Sequence, residues 1–195
     1  MAHKKHKTIL IIITMVIVSV SIGFTYLYLR HKEMPFLDKM AISSFFEEEE
    51  VKVRLYFSSF DASCLALEER KIKKCEDKIE QAKLMIKELI KGPLANNLKP
   101  TLPLNCQIKE VFSHKETIFV DFDQNFVEEH CKGSCGEILT IYSIVNTLLD
   151  NLNSYKKVQF LVEGKEIETL AGHIFLQQPL FKEKRLIKVE TKRGK

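Results

Sequence analysis

The sequence predicts an α+β domain, a small mixed sheet with two helices packed on one face, preceded by one N-terminal transmembrane helix. Three observations predict it. Residues 8–29 hold no charge in 22 positions; the chain beyond them alternates stretches of period two with stretches of period 3.6; and these stretches run strand, helix, strand, strand, helix, strand. That order is the split βαβ arrangement, which places both helices on one side of the sheet and needs no cofactor to complete it. A length of 195 residues suits one such domain plus an appendage.

The appendage is TILIIITMVIVSVSIGFTYLYL, residues 8–29. As a helix it would extend roughly 33 Å at about 1.5 Å per residue, enough for a hydrocarbon core of ~30 Å. Its end is built of Phe24, Tyr26, Leu27, Tyr28 and Leu29, which suits an interfacial aromatic belt and not the small-residue site of a cleaved signal peptide. Lys4, Lys5 and Lys7 precede it and Arg30 and Lys32 follow, which favours residues 1–7 in the cytoplasm and the bulk of the chain outside it. The expected localisation is therefore the cytoplasmic membrane, crossed once, with the C-terminal domain periplasmic or equivalent. Residues 30–50 have no clean period and close on the acidic run Glu47 to Glu50, as a solvated linker would.

The formal charge of +4 misleads. Five cations and no acids fall in residues 1–32, and residues 182–195 carry seven basic against two acidic groups, so residues 33–181 stand at −6. The domain is acidic, which argues against a nucleic-acid partner.

Val51, Val53, Leu55 and Phe57 alternate with Lys52, Arg54 and Tyr56, the pattern of a strand with one buried face. The stretch from Leu65 reads either as a second extended segment or, through ALEERKIKK, as helix. Ile79, Ala82, Ile86, Leu89 and Ile90 share a helical face that Gly92 and Pro93 terminate near Lys91. Residues 108–112 and 117–122 read as a hairpin around Ser113 to Glu116. Ser134 and Glu137 form a capping-box pattern ahead of Ile138, Ile141, Tyr142, Val145, Leu148, Leu149 and Leu152, a second helix. Val158, Phe160 and Val162 then alternate in a strand that turns at Glu163-Gly164-Lys165. The domain is expected over residues 51–181, with residues 182–195 a basic tail.

Several blocks together resemble the GerMN domain of spore germination and sporulation proteins: VKVRLYF at 51–57, LALEERKI at 65–72, ELIKGP at 88–93, TIFVDF at 117–122, IYSIVNTLL at 141–149, VQFLVEGK at 158–165 and LAGHIFLQQPL at 170–180. The resemblance implies a ring-building-motif-like fold and a role in the cell envelope, and it carries no catalytic residue set. Many members are lipoproteins. This chain has no cysteine in or just after its apolar segment, so it is expected to be held by the helix alone.

Among residues that could carry chemistry, the bland reading leads at each. Glu137 could be a catalytic carboxylate, but the capping box gives it a structural task. Asp121 and Asp123, two apart near a strand end, could bind a cation or do acid/base work; solvated strand-end acids are commoner. Asn146 lies at the edge of the helical apolar stripe, with Thr147 on the opposite side, and is a binding candidate or a partner for backbone in a neighbouring loop. His173, after Gly172, is a binding candidate, though such a lone histidine more often finishes a turn than supplies a catalytic base. The five cysteines favour local disulfides on the exported side, Cys64 with Cys75 and Cys131 with Cys135, leaving Cys106 over. Cys131 and Cys135, with His130 adjacent and His114 elsewhere in the chain, permit a zinc reading, though a C-x-x-x-C spacing without a second pair is weak. No nucleophile elbow, phosphate loop or zinc-protease motif is present. The basic tail reads as a solvated end, as an edge strand formed by LIKVE, or as a contact for anionic polymer.

The expected function is a membrane-anchored, extracytoplasmic interaction or assembly module, not an enzyme, whose partners are envelope proteins, a second copy of itself or peptidoglycan. The rival expectation is a peptidoglycan-binding or peptidoglycan-modifying protein with a site near Asp121, Glu137 and His173.

Overall fold

A computed structural model of the chain describes residues 14–29, 49–130 and 134–188. The chain divides into two compact units, Met1–Glu48 and Glu49–Lys195.

In the first unit residues 14–29 form helix α1. Its large apolar side chains, Met15, Ile17, Phe24 and Leu27 among them, are all more than half exposed. Ser19, Ser21 and Thr25 return their hydroxyls to backbone carbonyls one turn back, so no hydroxyl of these is left without a partner. Residues 8–13 of the expected transmembrane helix lie outside the described residues. Among the described residues no helix is long and apolar enough to cross a membrane.

The second unit contains β1 (Glu50–Ser59), β2 (Leu65–Lys73), α2 (Lys78–Lys91), β3 (Leu98–Lys99), β4 (Ile108–His114), β5 (Thr117–Phe122), α3 (Asn125–Glu128), α4 (Ser134–Asn151), β6 (Lys157–Val162), β7 (Lys165–Glu166) and β8 (Leu180–Phe181), then a 3-10 turn at Lys184–Leu186. The ambiguous stretch after Leu65 is strand: it pairs antiparallel with β1 from Glu50↔Lys73 to Ser58↔Leu65. Helix α2 begins at Asp77, whose carboxylate accepts from Ile79 N at 2.8 Å. It ends at Gly92, which adopts φ 85°, where a side chain would be strained. The β4–β5 hairpin turns on Lys115 and Glu116, and Glu163-Gly164, both at positive φ, turns β6 into β7.

The expected single sheet is corrected to two. One has the order β2-β1-β3; the other runs β4-β5-β6-β7, with β8 also on β6. The helices join them: α2 touches β1, β2 and β4, while α4 touches β1 and β6, and α2 packs on α4. One core runs through both sheets, with Leu55 and Phe57 from β1, Met85 and Ile86 from α2, Ile144 and Leu148 from α4, and Val120 and Phe160 from the second sheet. Phe126 of α3 closes it, stacked on Phe122 at 4.1 Å and Phe160 at 6.4 Å between centroids.

The reason for the split lies on α4. The backbone groups of β1 that face away from β2 meet helix side chains at positions i, i+4 and i+8. Ser143 Oγ donates to Tyr56 O at 2.6 Å, Tyr56 N donates to Thr147 Oγ1 at 3.1 Å, and Asn151 both accepts from Arg54 N at 3.0 Å and donates to Arg54 O at 2.8 Å. A helix thus takes the place of a neighbouring strand, and β1 cannot pair with the second sheet there. Thr147, expected opposite the buried stripe, is fully buried for this task. Thr147→Val, nearly isosteric, leaves Tyr56 N–H without its partner and is expected to cost about 1 to 3 kcal/mol. Urea denaturation reads it, and an unchanged midpoint would mean the ladder contributes nothing.

Candidate functional site

The residues singled out from the sequence do not come together as one site. Glu137 is fully buried one turn into α4. Its carboxylate does not close a capping box. Oε1 accepts from Leu170 N at 3.0 Å and Ile174 N at 3.2 Å, and Oε2 from His173 N at 2.8 Å. Burial works against its ionisation, but backbone N–H groups of Ala171, Ile174, His173 and Leu170 outweigh that and hold the carboxyl below the usual range. The side chain of Ser134 lies outside the described residues.

Asp121 is buried and accepts from Gly164 N at 2.9 Å, fixing the β6–β7 turn; Asp123 accepts from Gln107 N at 2.8 Å. Asn146 is fully buried and grips the backbone of Glu183 twice, donating to its carbonyl and accepting from its N–H, each at 3.0 Å. His173 keeps its side chain exposed. His130 is buried, Nε2 3.0 Å from Thr140 Oγ1; burial lowers its pKa, partly opposed by Glu137 and the Gly136 backbone.

The pairing of Cys64 with Cys75 is corrected. The two flank β2, and nine extended residues set them roughly 30 Å apart, against the ~7 Å limit between disulfide Cα atoms. Both are free thiols, as is Cys106, whose burial, aided by Asp123, pushes its pKa up to about 12. Cys131 and the side chain of Cys135 lie outside the described residues.

The outer edge of β2 carries backbone groups that β1 does not bond. Ser59 N donates to Cys64 O and Lys74 N to Glu49 O, so in this register the even-numbered residues of β2 bond β1 and the odd-numbered ones face outward. Beside that edge lies a groove of about 450 Å³, lined among others by Tyr56, Leu67, Ala95, Leu98, Ile187 and Lys188. Leu67 is 44% exposed. The groove is bordered by a strap running from β8 to Lys188. Phe181 and Leu180 pair with β6; Lys182 and Tyr56 Oη both hold the Asp150 carboxylate; Asn146 holds Glu183; and Leu186 and Ile187 pack on Tyr56, Leu65 and Leu139. Residues 182–188 therefore belong to the folded domain and not to a free tail. Sequence reading did not assemble this strap as one element. Its signals were there only in pieces: LIKVE as an edge strand, and Asn146 as a partner for backbone in a neighbouring loop, which its bonds to Glu183 bear out.

The family model described as Germane, sporulation and spore germination, matches residues 54–168, and the chain belongs to that family. Among solved structures it is similar to the tandem GerMN domains of the sporulation protein GerM from Bacillus subtilis, with 20% identity over 68% of this chain and 46% of that one and a TM-score of 0.57. The first GerMN domain of the same protein aligns with 19% identity over 69% of this chain and 98% of that one, TM-score 0.52. A candidate lipoprotein from Clostridium perfringens aligns with 20% identity over 68% and 88%, TM-score 0.50. These likenesses are of fold, and the chain spans about half of the tandem protein. None of the curated proteins compared with the chain matches it. The strap, residues 180–188, lies beyond the residues that the family model matches.

Proposed function

We propose that this chain is a membrane-anchored interaction module of the cell envelope, displayed outside the cytoplasmic membrane, that works by packing one protein against another and not by catalysis. The observation that carries the reading is the outward edge of β2 with its flanking groove, a surface that can take an added strand. Support for the anchor comes from the uncharged run of residues 8–29, of which residues 14–29 are helical with apolar side chains on every side. Membership of a sporulation and germination family supports the envelope setting. The candidate lipoprotein from Clostridium perfringens supports display on a membrane, here by a helix in place of a lipid.

The peptidoglycan reading has less support, because Asp121 and Glu137 are sealed and hold backbone N–H groups. In-cell crosslinking of the full-length protein separates the two. Capture of envelope proteins or of the chain itself is expected; capture of cell-wall fragments alone would replace the assembly reading with the peptidoglycan one. A reporter fused to the C-terminus should be active only as an exported enzyme, and a cytoplasmic reporter active there would reverse the orientation.

A further inference from the structure

We infer that the free edge of β4 is a self-pairing surface, on which a second copy of this chain adds its own β4 antiparallel, with Phe112 opposite Phe112. The backbone is set for it. Lys157 N and Glu163 N take the carbonyls of Glu116 and Phe122, and Asp123 N donates to Gln107 O, so the odd-numbered residues of β5 bond β4 and their partners there are Glu110, Phe112 and His114. Val111 and Ser113 therefore direct their N–H and C=O groups to the other edge, where, among the described residues, β4 has no neighbouring strand. The usual guards of such an edge stand only at its ends. A register shift sets Lys109 apart as a bulge and Lys115 turns the hairpin at φ 54°, while the residues between them, EVFSH, hold no proline and no lysine.

Bonding across this edge joins odd-numbered residues to odd-numbered ones, which leaves few registers, and one of them is complementary. With Val111 bonded to the second copy's Ser113, Phe112 lies on the two-fold axis and Glu110 stands opposite His114 at both ends of the pairing. A shift of two residues in either direction takes Glu110 off His114 and sets Phe112 against Glu110 or His114. Glu110, Phe112 and His114 share one face of the strand and all three are exposed. Phe112 is 37% exposed although its ring stacks on Phe119, with centroids 4.8 Å apart and planes within 4°. The pairing extends that stack across the axis to four rings. Five residues from each strand make a small contact, so it depends on an anchor that concentrates copies on one membrane, and in this it rests on the anchored interaction reading above. It uses a different sheet from β2.

Disulfide trapping of the full-length protein in its native membrane tests the register. Facing Cα atoms in a non-hydrogen-bonded pair lie about 4.5 Å apart, within reach of a disulfide, whereas Glu110 would lie about 14 Å from its own copy. Phe112→Cys is therefore expected to give at least about tenfold more linked dimer under mild oxidant than the wild type with its native cysteines. Glu110→Cys combined with His114→Cys, which leaves the ring stack intact, should also link, and neither of these two alone should exceed the wild type. In the Phe112→Cys chain, His114→Glu sets like charges opposite each other and should cut the yield several-fold, and adding Glu110→Lys should restore it. Linking by neither Phe112→Cys nor the double cysteine variant overturns the proposal, as does linking by Glu110→Cys alone or a charge swap that restores nothing. If the wild type still captures envelope proteins while these variants stay unlinked, the self-pairing falls and the interaction reading stands.

Discussion

Arg70→Met is expected to cost about 3 to 5 kcal/mol of folding free energy, the range found when one partner of a buried ionic cluster is removed. The Arg70 side chain is 9% exposed, and its carboxylate partners Glu68 and Glu88 are 11% and 17% exposed. One guanidinium nitrogen donates to Glu88 Oε2 at 2.7 Å; the other donates to Glu68 and to Gly92 O at 3.0 Å. The cation also lies 5.6 Å from the Phe57 ring centroid. Glu68 in turn accepts from Leu94 N and Ala95 N, both at 3.0 Å, so the cluster fastens the loop after α2 to β2. Burial works against the Arg70 charge, and the two carboxylates outweigh it.

Methionine fills the stem but leaves Glu68 without its cation and Glu88 with Lys91 alone. Adding Glu68→Gln and Glu88→Gln to Arg70→Met should therefore recover much of the loss, since a buried cluster replaced as a whole is often close to neutral. Arg70→Lys keeps the charge and loses the fork, and belongs between them. Urea titrations of the three variants decide it. A loss below about 1 kcal/mol for Arg70→Met, or no recovery in the triple variant, would show that the network carries little of the stability. The expected loss falls on β2, so it should also abolish the edge that the functional reading relies on.

How far the fold could be read in advance depended on whether one local pattern decided each element. β1 and α2 were legible because their apolar residues follow one period and their ends carry local signals, Asp77 and Gly92 for the helix. β2 was not, because ALEERKIKK satisfies helical spacing and only pairing with β1 settles it. Glu137 fits a capping box by spacing, but its partners lie 33 to 37 positions away, a separation that no local pattern encodes. The stripe Ser143, Thr147 and Asn151 was visible as small polar residues at a four-residue interval, and could have been read as a face against backbone rather than water. The pairing of Cys64 with Cys75 failed for the opposite reason, since closeness in sequence means distance in space once the residues between are extended.

Glu137→Ala is expected to release the loop around residues 170–174 and to cost about 2 to 4 kcal/mol, because it leaves several backbone N–H groups without an acceptor. Leu170 is buried, so its N–H has no ready substitute; His173 is exposed, so water can replace the carboxylate there. Glu137→Gln keeps one acceptor oxygen and turns the other position into a donor facing donors, which places its cost below that of alanine. The two variants also differ from the wild type in their response to acid. The folded-state pKa of Glu137 is lowered from 4.5, so between those two values the unfolded chain binds a proton that the fold refuses. By linkage its contribution is present in full above pH 4.5 and is lost as pH falls through the folded value. The stability difference between wild type and Glu137→Gln should therefore be constant above about pH 5 and shrink below it. Chemical denaturation at a series of pH values measures that difference. A gap that stays constant to pH 3 would mean the carboxylate is not held ionised by the loop, whereas a shrinking gap, together with faster amide exchange at Leu170 and Ile174 in the variant, would identify one buried charge as the tie between α4 and the segment that leads into the strap.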